Sequence, residues 1–118
     1  MHFILRRAYE AASPEDDYRL LVDRLWPRGV KKHDLQFDEW LKTLAPTPEL
    51  RRWFGHDPQR WREFSHAYQL ELESKQESID SLLLRCRDYH QVCLIYAAKD
   101  PHFNHAQVLK AYLESYIN

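Results

Sequence analysis

The stretch YRLLVDRLWPRG, residues 18–29, decides the fold. Tyr18 to Asp23 form a short, largely apolar run bounded by turn chemistry, the pattern of a strand covered on both faces in a parallel sheet. The run stops abruptly. Pro27 lacks a backbone donor, and Gly29 admits a positive φ that other residues avoid. In an open parallel sheet, ligands lie beyond the carboxyl ends of the strands. The charged turn at residues 23–29, DRLWPRG, is therefore expected to be the working surface as well as the end of a strand.

Outward from this stretch, residues 3–9 read as a first strand, followed by a polar, turn-rich AASPEDD segment. Residues 91–98, QVCLIYAA, are the strongest strand signal, an unbroken run of apolar and β-favouring side chains. Between them lie helices. Thr47-Pro48 starts one that stops at Gly55, and Asp57-Pro58 starts a longer one whose Trp61, Phe64, Tyr68 and Leu72 share a face. Residues 76–88 predict a third, and Asn104 caps a final helix carrying Leu109, Tyr112, Leu113 and Tyr116. The stretch 30–46 suits either a short helix or an irregular cover over the site. Long helical crossovers between strands predict a single α/β domain over residues 1–118, with a mainly parallel sheet of about three or four strands flanked by helices.

The chain has 118 residues, of which 44% are hydrophobic and 14% aromatic, ample for a core without staples. Its 17 basic and 18 acidic residues leave a formal charge of −1, which disfavours the global field of a non-specific nucleic-acid binder. Cys86 and Cys93 sit in apolar surroundings without metal or redox spacing and read as buried, reduced thiols. The opening MHFILRRAYE has neither signal-peptide nor membrane-anchor character, so a cytoplasmic setting is expected. No phosphate loop, dinucleotide fingerprint, zinc motif or nucleophile elbow occurs, and the scattered histidines suggest no metal set. No cofactor is implied.

Two segments of unusual composition fall at strand ends and meet if their strands are parallel neighbours. In the first, Arg24 and Arg28 are candidate clamps for phosphate, sulfate or carboxylate, or partners for a desolvated Asp23. Trp26 offers a flat wall for a ring. Equally, Asp23 and an arginine can tie the turn together while Trp26 fills the core. The second contributes Lys99, Asp100, Asn104 and His105, of which Asn104 and His105 fall at the start of the last helix, whose dipole favours an anion. Asn104 is also an ordinary N-cap. Asp23 and His105 form the candidate proton-transfer or ligand-orienting pair. Arg51, Arg52, Trp53 and His56 form a third group near Gly55, which either covers the pocket or complements the dipole of its own helix.

VDRLWPRGVKK, DEWLKTLAPTPELRRWFGHDPQRWREF and LIYAAKDPHFNHAQVL together resemble the YeaO-like branch of domain-of-unknown-function family 488 over nearly the whole chain. The resemblance implies a small bacterial α/β protein with no established activity. It also implies a comparison with longer relatives that carry a Cys-His-Arg triplet after the last strand. This chain has Asn104-His105-Ala106 there, so only the histidine is matched. The expected function is that of a small cytosolic enzyme or binding protein for an anionic molecule, nucleotide-like or phosphorylated, with no membrane partner. The alternative is a nucleic-acid-associated or regulatory module with Arg6, Arg7, Arg51, Arg52, Arg60 and Arg62 on its outside.

Overall fold

A computed structural model describes residues 1–117 and contains one sheet of four parallel strands in the order β1-β4-β2-β3. The strands are β1 (His2–Arg7), β2 (Tyr18–Leu21), β3 (Glu39–Trp40) and β4 (Gln91–Tyr96). The α/β class and the parallel pairing are those expected from the apolar runs. β3 was not anticipated. It lies in the stretch read as a short helix or irregular cover, and it is only two half-buried residues beside Leu20 and Leu21 of β2. The other strands end two residues earlier than their apolar runs, although Val22 and Ala8 still donate backbone N–H groups to Ile95 and Tyr96.

β4 occupies the centre. It pairs with β1 from His2↔Gln91 to Arg7↔Tyr96 and with β2 from Tyr18↔Val92 to Leu21↔Ile95. Alternate side chains serve opposite faces, which explains the unbroken apolar run. Val92, Leu94 and Tyr96 join the larger core, while Cys93 and Ile95 join a smaller one.

The two faces are covered differently. The larger core packs under helices α2 (Trp61–Glu73), α3 (Gln76–Cys86) and α4 (His105–Ile117) through residues such as Tyr68, Leu72, Leu82 and Leu109. The opposite face is covered by the 26–40 segment, whose Leu35, Phe37 and Trp40 surround Trp26. Helices therefore flank the sheet as expected, and their buried side chains all join the larger core on one face. A single 3-10 turn, Lys32–Asp34, is the regular structure in the covering segment before β3.

The helix starts follow their caps. Thr47 Oγ1 accepts the Leu50 N–H at the head of α1 (Pro48–Phe54) and donates to Glu71 of α2, which ties the two helices together. Gly55 closes α1 in the left-handed conformation at φ 54°. Asp57 caps a 3-10 turn, Pro58–Arg60, that runs into α2. At the head of α4, Asn104 Oδ1 accepts the Gln107 N–H.

Candidate functional site

Because β2 and β4 are parallel neighbours, the chain leaving each passes the same depression. This pocket has a volume of about 710 Å³, within the size range of small-molecule clefts. It takes residues from the 23–28 turn, the 97–105 turn and α1, so the two charged strand ends do meet.

Asp23 lies at the junction. Its Oδ2 accepts the Ala97 N–H at 3.1 Å, and its carbonyl accepts the Trp40 indole N–H at 2.7 Å. The Nε2 of His105 is 3.2 Å from Asp23 Oδ1 and 3.0 Å from the Val22 carbonyl. A carbonyl only accepts, so Nε2 carries the hydrogen, and Nδ1 is the acceptor of the neutral ring. The hydrogen bond goes to Val22. Asp23 Oδ1 is buried without a formed hydrogen bond, so its approach to the imidazole is electrostatic. The edge of Tyr68 packs against the His105 ring at 6.2 Å. Burial pushes the Tyr68 phenol well above its ordinary range, and the hydroxyl donates to the Leu44 carbonyl.

Neither arginine of the turn pairs with Asp23, contrary to one of the readings of the sequence. The neighbouring strand and α4 bring a backbone donor and an imidazole to that carboxylate instead. Arg24 donates from Nε to the Pro46 carbonyl at 3.1 Å and from Nη2 to the Ala45 carbonyl at 3.2 Å. These neutral acceptors fix one edge of the guanidinium without cancelling its charge. Arg28 stands exposed on a turn closed by the Val30 N–H and Pro27 carbonyl at 3.3 Å, with Gly29 at φ 81°. Lys99 is exposed at the opposite rim. Among the described residues, Arg24, Arg28, Arg51 and Lys99 line the pocket without an ion pair.

Trp26 borders the pocket, but much of it belongs to the smaller core. Its ring meets Phe37 and Trp40 edge-on, and its N–H donates to the Val30 carbonyl at 2.6 Å. Asn104 is buried, with Nδ2 donating to the Asp100 carbonyl at 2.8 Å while Oδ1 caps α4. Asp100 in turn accepts the His102 and Phe103 N–H groups, which lower its carboxyl below the ordinary range. The loop leading to His105 is thus held by its own polar groups.

Pocket residues outside the proposed site include Arg51, His56 and Tyr9. Arg51 and His56 come from the end of α1, whose basic group was equally readable as complementing its dipole, and Tyr9 follows β1. His56 is itself in the left-handed region at φ 57°, an uncommon backbone state for a side-chain-bearing residue and one that gathers at functional loops. The adjacent Gly55 was the available signal. Arg7 braces the pocket from below by donating to the Ala97 and Ala98 carbonyls at 3.0 and 2.9 Å.

A small parallel α/β sheet with a cationic pocket at its carboxyl ends defines the class. The chain belongs to the family described as the inactive DUF488-N3 subclade, whose model matches residues 2–118. It is similar to the uncharacterized protein YeaO of Escherichia coli K12, with 40% identity over 98% of this chain and 99% of that protein. It is also similar to the uncharacterized proteins Mb3100c of Mycobacterium bovis and Rv3073c of Mycobacterium tuberculosis, each with 48% identity over 56% of both chains. No solved structure matches. Among the described residues, no helix is long and apolar enough to cross a membrane, and no three His, Cys, Asp or Glu side chains gather as a metal set.

Proposed function

We propose that the protein binds a small anionic ligand, phosphorylated or nucleotide-like, at the carboxyl ends of β2 and β4. The observation carrying this reading is the pocket lined by Arg24, Arg28, Arg51 and Lys99, none paired with a carboxylate among the described residues. Unneutralised cations around a partly enclosed, low-dielectric cleft attract and hold an anion. The first turn of α4 adds the positive end of its dipole. Arg24, fixed along one edge, is a preorganised clamp, while Arg28 and Lys99 close from the rim. Trp26 supplies part of the wall, and Asn104 holds the turn that carries His105.

Binding without catalysis is the favoured form. The description of the family as inactive supports it, as does Asn104, an amide engaged in the turn where the resemblance implies a thiol in longer relatives. In this reading Asp23 and His105 orient the ligand, with Nδ1 facing it as acceptor or, when protonated, as donor. The proposed setting is the cytoplasm, supported by two buried free thiols, and the proposed unit is one domain over residues 1–118.

Titration with inorganic phosphate at low ionic strength, followed by backbone amide NMR, tests the reading. Shifts are expected at residues 23–28, 51–56 and 97–105. Arg24→Ala should weaken binding about tenfold, equivalent to ~1.4 kcal/mol. Shifts scattered elsewhere, or none at millimolar phosphate, refute it.

The nucleic-acid alternative keeps part of its surface, since Arg51, Arg52, Arg60 and Arg62 are exposed. Arg6 and Arg7 are half-buried, Arg6 bound by Asp16 and Arg7 by backbone carbonyls, and Arg60 lies over the Trp53 ring beside Asp57.

A further inference from the structure

Tyr9 is an exposed aromatic ring that is nevertheless held still. It lies two residues beyond β1 on the rim of the anion pocket and is 48% exposed. Its hydroxyl donates to the Arg28 carbonyl at 2.9 Å, which joins it to the turn across the pocket mouth. The Arg7 guanidinium sits over the ring, 4.7 Å from its centroid. That guanidinium is itself fixed to the Ala97 and Ala98 carbonyls, so the ring rests on an anchored support.

An ordinary exposed tyrosine on a loop has two free torsions and loses their entropy when it grips a ligand. Here a cation on one face and a hydrogen bond at the tip have already restricted them, and preorganisation of this kind strengthens binding. The guanidinium also covers only one face of the ring. Nearby, the exposed Leu25 continues the rim, and the buried Pro27, Phe54 and Phe64 lie deeper in the wall. At about 710 Å³ the pocket exceeds what a lone phosphate fills and falls within the range of drug-sized ligands. Cations account for the anionic end of the ligand. They leave the aromatic and apolar surface without an occupant.

We infer that Tyr9 is a stacking platform, and that the ligand is a phosphate monoester carrying a planar ring. This rests on the anion reading above and narrows it. The ring lies on the open face of Tyr9 while the phosphate reaches Arg24, Arg28 and Arg51. A nucleoside monophosphate and a simple aryl phosphate share this chemistry, and the test separates them.

The test compares the affinities of the full chain for ribose 5-phosphate, the four common nucleoside 5′-monophosphates and phenyl phosphate, by calorimetry at one salt concentration. At least one ring-bearing ester should bind roughly 5- to 100-fold tighter than ribose 5-phosphate, the span measured for base–aromatic stacking. A gain for nucleotides alone identifies a nucleobase, and an equal gain for phenyl phosphate identifies any planar ring. Tyr9→Ala should abolish the gain, read as the affinity ratio to ribose 5-phosphate in the same variant. Tyr9→Trp, which loses the Arg28 tether but keeps a ring, should retain most of it. Thermal unfolding of both variants checks that they fold. Equal affinities for all esters overturn the inference while the anion reading survives, as does a Tyr9→Ala loss shared equally by ribose 5-phosphate. If no ester binds at all, both readings fall together.

Discussion

Replacing Asp23 by asparagine tests the junction on which the site depends. The carboxylate now accepts the Ala97 N–H at 3.1 Å through Oδ2 and faces the His105 Nε2 at 3.2 Å through Oδ1. An amide has one oxygen. If it takes Ala97, the new NH2 group confronts the Nε2 hydrogen of His105, donor against donor. The ring can escape only by changing tautomer, and it then loses its bond to the Val22 carbonyl at 3.0 Å. If the amide turns round, the Ala97 N–H is orphaned instead. Either arrangement leaves one group, the Val22 carbonyl or the Ala97 N–H, without its partner in a partly buried place, where an unpaired group costs about 1–3 kcal/mol. The side chain of Asp23 is 17% exposed, so water offsets part of this and about 2 kcal/mol is the expected loss. For a chain of this size that corresponds to a fall in Tm of roughly 6–12 °C. Urea unfolding measures the energy, and long-range nitrogen–proton NMR of the imidazole reads the tautomer. Stability within about 0.5 kcal/mol of the parent, with Nε2 still protonated, would refute the reasoning, because a surface substitution away from such a junction does no more.

Three further outcomes follow from the rest of the molecule. The side chain of Asp16 is fully buried between Arg6 and Arg19; burial by itself raises its carboxyl, but hydrogen bonds from Arg6, Ser13 and Arg19 outweigh it and hold the pKa below the ordinary value. A depressed native pKa gives stability that is present above the unfolded value near 4 and is lost as pH falls through the native one. Asp16→Asn should therefore flatten the acid limb of a stability–pH curve, whereas a limb unchanged in shape would contradict the pairing. Burial pushes the Cys86 and Cys93 thiols to about 11, so neither should react with a thiol reagent at pH 8 until urea unfolds the chain; rapid labelling of the native protein would count against this. Gly29→Ala should cost about 1 kcal/mol by chemical denaturation, because φ is 81° while a methyl group there would meet nothing within 4 Å. A loss above about 3 kcal/mol would mean that the turn is strained in some other way.

The helix starts and the central strand were legible because their signals are local. Thr47-Pro48, Asp57-Pro58 and Asn104 act on the next turn of chain, and the apolar run of β4 reflects burial on both faces. β3 was hidden because two half-buried residues carry no period, and its partner strand lies about twenty residues earlier. The meeting of residues 23–28 with residues 97–105 was conditional on strand order, which side-chain pattern does not encode. The pairing of Asp23 with a nearby arginine misled for the same reason. Its partners, the Ala97 N–H and the His105 ring, come from 74 and 82 positions further along, and nothing beside Asp23 marks them. Arg51 and His56 reach the pocket because Phe54 stacks on Phe64 at 4.3 Å and sets α1 against α2. That is a tertiary contact, and the basic helix end alone does not reveal it.

The central place of β4 has a kinetic consequence. β1 and β2 are made early, yet neither pairs with the other, and both wait for a strand at residues 91–96. Apart from the two-residue β2–β3 ladder, folding must therefore close loops of about seventy residues or more before the sheet gains its main pairings, which slows a chain relative to one built from neighbouring hairpins. A nascent or truncated chain ending short of β4 has β1 unpaired and β2 with only the two-residue β3 beside it, and it lacks half of the pocket as well. Fold and binding surface consequently arrive together, late, in a single cooperative step.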